Sequence, residues 1–203
     1  MRVEIRDKNN FVKTFNQIYP ENKIQNINGI SIDSRITDYN DIFIPFKGES
    51  FDGHKFIVNA LKKKGTICLS EEDKNSSNKR IIHTSSNKQA LLSLASAWRE
   101  KMQSKIIAIT GSNGKTTIKE LLSHIIQSKY NCSKSTENHN STIGLPLSLL
   151  NCKINDDFTV LELGANQPGE IKTLCDFVKP DFSVITNISN AHIENFSSLK
   201  DII

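Results

Sequence analysis

Residues 109–120 read ITGSNGKTTIKE, in which a glycine, a lysine and two threonines follow directly on an apolar run. Those residue types in that order suit a phosphate cradle. Glycines let the backbone turn tightly and approach phosphate oxygens. The first N–H groups of a following helix lack intrahelical partners and favour anions. Lys115 can reach terminal phosphates, and the Thr116 hydroxyl can ligate magnesium. The widespread spacing G-x-x-x-x-G-K-[ST] would put a glycine at position 109, which is isoleucine here; the first glycine is Gly111. The candidate phosphate-binding residues are Gly111, Ser112, Asn113, Gly114, Lys115, Thr116 and Thr117. A capped helix start with an exposed lysine is the plain alternative.

Two more residues could join this chemistry. Glu162 closes the apolar stretch TVLELG, and His192 follows SVITNI together with Asn187. In a parallel sheet, ligands gather at the carboxyl ends of strands, where an acidic residue helps to hold magnesium. A neutral imidazole can also ligate a metal. Lys115, Glu162 and His192 are therefore the candidate catalytic set, with Thr116, Glu162 and His192 as candidate magnesium ligands. A polar strand edge and a solvated loop histidine are the ordinary alternatives.

The elements that must position these groups follow from the apolar pattern. KIIAIT (105–110) is apolar enough to be buried on both faces, and a helix from about 115 to 128 follows it. YNCSK (130–134) is a short strand, DFTVLELG (157–164) a strong one, PGEIKTLCDFV (168–178) a helix and DFSVITNI (181–188) another strand. Strands alternating with helices predict a parallel sheet with right-handed crossovers. Upstream, GISIDSR (29–35) and DIFIPFKGE (41–49) alternate as half-buried strands do. HKFIVNALKKKG (54–65) has helical spacing and stops at Gly65. TICLS (66–70) is a strand, residues 73–79 a polar loop, and NKQALLSLASAWREKM (87–102) an amphipathic helix. The fold class is α/β: a small mixed domain over 1–104, then an incomplete P-loop parallel-sheet domain over 105–203. NFSSLKDII (195–203) reads as a helix that has only begun.

Composition narrows the class. With 203 residues and 37% hydrophobic content, the chain can bury one ordinary core or two small ones. The net charge of +4 comes from scattered lysines, which suits an anionic substrate better than nucleic acid. The four cysteines, Cys68, Cys132, Cys152 and Cys175, have neither C-x-x-C nor zinc spacing. The N-terminus MRVEIRDKNN has no apolar h-region, and no apolar run approaches about 18 residues. A cytoplasmic protein without a membrane span is expected.

ITGSNGKTT, STENHNSTIGLPLSLL, VLELGANQPGEI and ITNISNAHIENF together resemble the ATP-binding centre of the Mur ligases, which build the peptidoglycan precursor. That family's loop is TGxxGKT, so isoleucine at 109 is normal for it. SIDSR (31–35) and FIPFKGESFDGHKFI (43–57) are similar to its N-terminal module. The Asn-rich ENHNSTIGLPLSLL and the ELGANQPGEI segment look like the branch that joins D-alanyl-D-alanine to UDP-N-acetylmuramoyl-tripeptide.

The resemblance implies ATP and Mg²⁺ as cofactors, those two substrates as partners, and a monomer when full length. It implies that Ser34, Arg35, Lys47, Asp52, Gly53 and His54 meet the uridine-nucleotide substrate. Thr136, Asn138 and Asn140 would line the route between ATP and substrate. The γ-phosphoryl would pass to a carboxylate, and an amine would then displace phosphate. The family's carbamylated lysine, its adenine contacts and its C-terminal domain have no counterpart before Ile203, so the chain alone is expected to be inactive. Another Mur ligase, adding an amino acid, and a non-catalytic nucleotide-binding remnant remain open.

Overall fold

The structure, a computed structural model, describes residues 1–48, 50–72, 77–136, 139–165 and 167–189. It divides into two compact units, Met1–Trp98 and Arg99–Ile203. The division falls inside the last turns of a helix rather than after residue 104. Just past this boundary, the Arg99 guanidinium donates to the carbonyls of Val178 and Lys179, at 2.6 and 3.2 Å.

The first unit is built on a five-stranded sheet in the order β1-β2-β3-β4-β5. β1 (Arg2–Glu4) runs antiparallel to β2 (Gly29–Ser31). β3 (Asp41–Phe43), β4 (Ile67–Ser70) and β5 (Ile81–His83) continue parallel to β2. β2 and β3 are buried at every residue. The expectation of half-buried strands is therefore corrected: parallel strands in the middle of a sheet are covered on both faces. The buried Asp41 is compensated by Arg2, whose guanidinium forks onto both carboxylate oxygens at 2.7 and 3.0 Å.

Helix α1 (Lys8–Ile18) has no counterpart among the sequence expectations. It buries Phe11 and Phe15, and the Phe11 ring lies 5.8 Å from Trp98. The helix expected over 54–65 is shorter: a 3₁₀ turn over Gly53–Phe56, then α2 (Ile57–Ala60). α2 packs Ile57 and Ala60 against Phe43 and Cys68. The helix expected over 87–102 is α3 (Asn87–Lys101), with Leu91, Leu94, Ala95 and Trp98 inside. Each large apolar side chain buried in this way stabilises the fold by about 1.5–3 kcal/mol.

The second unit holds a four-stranded, all-parallel sheet in the order β7-β8-β6-β9. β6 is Lys105–Thr110, α4 is Lys115–Gln127 and β7 is Cys132–Lys134. α5 is Gly144–Asn151, β8 is Phe158–Glu162, α6 is Glu170–Val178 and β9 is Phe182–Ile185. Ile109 pairs with Glu162 and Thr110 with Ile185, so the ends of β8 and β9 open beside the turn after β6. α5, also absent from the sequence expectations, is buried at all of its residues. Among the described residues, no helix is long and apolar enough to cross a membrane. The helix expected over 195–203 and most of the polar loop 73–79 lie outside the described residues.

Candidate active site

β6 delivers the loop from a buried strand, Ile106–Ile109, into a turn with two positive φ values, 132° at Gly111 and 79° at Gly114. Gly114 is the N-cap of α4 and carries no side chain to cap it. The first amides of α4 are thereby left for an anion. The Lys115 ammonium folds over the loop and donates to the carbonyls of Gly111 at 2.6 Å and Ser112 at 3.2 Å.

The chain after β9 braces this loop. The Ser112 N–H donates to the Asn187 carbonyl at 2.9 Å, and the Asn113 N–H to Asn187 Oδ1 at 3.0 Å. The Thr186 hydroxyl donates to the Asn113 carbonyl at 2.6 Å. The Ser189 N–H donates to Ser112 Oγ at 2.8 Å. A Cβ at Gly111 would meet Thr186 Oγ1 at 2.2 Å, so this turn is packed directly on β9's continuation. Ser112 and Asn113, expected to present amides to phosphate, direct them at Asn187 instead. Gly114, Lys115, Thr116 and Thr117 form the N-cap and first turn of α4.

Glu162 lies at the end of β8 and is only 2% exposed. The Thr116 hydroxyl donates to its Oε2 at 2.8 Å, and the Asn140 amide to its Oε1 at 2.9 Å. Three separately expected residues thus meet on one carboxylate. Asn140 also accepts the Gly164 N–H at 3.0 Å and fills the place of a Gly164 Cβ. Thr116 and Glu162 offer hard oxygen donors 2.8 Å apart. Adjacent corners of an octahedron with metal–oxygen bonds of 2.0–2.1 Å lie about 2.9 Å apart. The pair therefore fits one magnesium ion. Thr136 is exposed, and its carbonyl accepts the His139 N–H at 3.0 Å. Asn138 and His192 lie outside the described residues.

Sequence reasoning missed Lys119 and Ser135. Lys119 sits one turn after Thr116 on the same face of α4 and is fully buried. Its ammonium donates to the Ser135 carbonyl at 3.1 Å and lies 3.3 Å from Glu120 and 4.0 Å from Glu162 Oε2. The Ser135 hydroxyl accepts the Glu162 N–H at 3.0 Å. Glu120 also bonds Lys134. The Lys134 ammonium, helped by Lys119, holds the Glu120 carboxyl below the usual carboxylate range. The available signal was spacing: Lys119 follows Thr116 by three residues, which places both on one helix face.

In the first unit, Asp52 Oδ1 caps the 3₁₀ turn through the His54 N–H at 3.0 Å and contacts His54 Nδ1 at 2.9 Å. These bonds to His54 hold the Asp52 carboxyl below its ordinary range. The His54 side chain is turned inward, 4% exposed, beside Asn87. Gly53 packs on the Phe46 backbone, where a Cβ would lie 2.8 Å from the carbonyl, and Lys47 bridges to Asp52. Ser34 is half-buried and Arg35 exposed. The Arg35 guanidinium forks onto Asp33 at 2.9 and 2.6 Å and brings that carboxyl down to about 2.

A profile described as the Mur ligase middle domain matches residues 109–203, and one described as the Mur ligase family, catalytic domain, matches residues 26–106. The UDP-N-acetylmuramoyl-tripeptide–D-alanyl-D-alanine ligase of Bacillus subtilis is 35% identical over 178 residues, covering 87% of this chain and 39% of the relative. The ligase of the same name from Borreliella burgdorferi is 37% identical over 219 residues, covering 100% of this chain and 47% of the relative. The crystal structure of the MurF ligase from Thermotoga maritima in complex with ADP superimposes with a TM-score of 0.76 at 35% identity, covering 85% of this chain and 40% of that one. The chain spans less than half the length of these relatives.

Proposed function

Since the chain belongs to the Mur ligase family, we propose that it is part of an ATP-dependent amide ligase that joins D-alanyl-D-alanine to UDP-N-acetylmuramoyl-tripeptide. The naming of its relatives supports the substrates, and the ADP bound by the Thermotoga maritima ligase supports the nucleotide. The observation that carries the reading is the meeting of Thr116, Asn140 and Glu162 beside the loop after β6.

In this reading Lys115 leaves the Gly111 carbonyl for the β- and γ-phosphates, and the amides of Gly114 to Thr117 cradle them. Ser112 and Asn113, tied to Asn187, fix the loop's shape. Thr116 and Glu162 would hold one magnesium ion, and His192 a second. Bound magnesium neutralises charge on the transferring phosphoryl group. A carboxylate oxygen of the tripeptide attacks the γ-phosphorus and ADP leaves, giving an acyl phosphate. The dipeptide amine attacks the acyl carbon, phosphate leaves, and the nitrogen loses a proton. The protein contributes chiefly positioning and charge neutralisation. Thr136, Asn138 and Asn140 line the path between nucleotide and acceptor. Ser34, Arg35, Lys47, Asp52 and Gly53 engage the uridine nucleotide, with Arg35 exchanging Asp33 for a diphosphate. His54 supports their loop from inside. The setting is the cytoplasm, and the full-length protein acts as a monomer.

The test is ADP release by the full-length gene product. Release should require both the UDP-muramoyl-tripeptide and D-alanyl-D-alanine, and Glu162→Ala should lower it by about 10²-fold or more. Release with a free amino acid in place of the dipeptide would assign the chain to a different step.

A further inference from the structure

We propose that Lys119 is a positioning residue for magnesium: its buried charge fixes the Glu162 carboxylate toward Thr116 while being held too far away to occupy the metal's place. The proposal rests on the nucleotide–magnesium reading above. A carboxylate that is 2% exposed and met only by neutral donors is costly to keep charged. Thr116 and Asn140 are neutral donors, so Lys119 is the cation that balances Glu162 among the described residues around it.

Among the described residues, Ser135, Glu120 and Glu162 surround that cation. The Ser135 carbonyl at 3.1 Å and Glu120 at 3.3 Å are nearer than Glu162 Oε2 at 4.0 Å. The two nearer anchors hold the ammonium beyond direct hydrogen-bonding distance of Oε2. Lys134 restrains Glu120 in turn, so charges alternate along Lys134, Glu120, Lys119 and Glu162. Ser135 ties the ends together, because its carbonyl receives Lys119 and its hydroxyl receives the Glu162 N–H. Oε2 therefore takes its direct hydrogen bond from Thr116 and not from the ammonium.

The test is calorimetric binding of ADP to the full-length gene product across a magnesium titration, with parallel titrations in EDTA. Lys119→Gln removes the charge but can still donate to Ser135. It should raise the magnesium concentration for half-maximal tightening by roughly ten- to a hundredfold, the usual cost of losing a group that orients a metal ligand. Affinity in EDTA should stay unchanged. Lys119→Arg, which keeps the charge, should recover most of the loss. Normal magnesium response in Lys119→Gln overturns the proposal and leaves the nucleotide reading standing, as does an arginine variant as weak as the glutamine one. Absence of any magnesium response in the unaltered protein overturns both.

Discussion

Asp41 and Glu162 are both carboxylates buried beyond 97%, each on a parallel strand, one in each unit. Their partners differ. Asp41 is forked by Arg2 on both oxygens and takes the Asp38 N–H at 2.7 Å. Glu162 has neutral donors on its two oxygens and its cation at 4.0 Å. A bidentate guanidinium locks a carboxylate as a structural tie. Neutral donors with a withheld cation leave one able to exchange a partner for a metal. Burial alone does not separate these two acids; the distance of the balancing charge does.

The largest effect should come from cutting the locked pair. Asp41→Ala should cost about 3 kcal/mol, the low end for breaking a buried pair because Arg2 keeps some solvent contact. Urea unfolding measures it, and magnesium-dependent ADP binding should stay intact in the protein that remains folded. Glu162→Gln should cost only about 1 kcal/mol of stability, since Lys119 keeps Glu120 and Ser135 as partners, but should abolish the magnesium response. A larger stability loss at Glu162 than at Asp41 would break the comparison. The smallest effect belongs to a third carboxylate, Asp33, forked by an exposed arginine. Its folded value of about 2 is below the ordinary value, so the pair contributes stability above pH 4 and loses it as pH falls toward 2. Solvent screening keeps that contribution small. In an NMR titration, Arg35→Gln should raise the Asp33 carboxyl from about 2 toward its ordinary range, with the residue-35 backbone N–H still holding it somewhat below.

The parts legible in the sequence were those whose pattern is local. KIIAIT and TVLE are apolar runs that could only be buried strands, and the glycines before Lys115 mark the turn between strand and helix. Thr116, Asn140 and Glu162 were named separately, and the fold brings them to one carboxylate. The failures arose where context outweighs pattern. GISIDSR alternates in composition, yet all of β2 is buried, because a strand inside the sheet is covered on both faces. α1 is rich in asparagine and lysine and rests on two phenylalanines. α5 is too uniformly apolar to show a helical period. Lys119 ran against the rule that lysines face water: α4 buries Lys119 and Ser123 while Ile118, Leu121 and Ile125 are exposed.

The two glycines of the loop after β6 carry different kinds of information. At Gly114 the constraint is an angle, since a Cβ there meets nothing within 4 Å. At Gly111 it is also a volume, already filled by Thr186 and Asn187. A loop grafted into another α/β scaffold would bring the angle with it but not the volume. The transplantable unit is therefore the pair of segments 110–117 and 186–189, two stretches distant in sequence that behave as a single part.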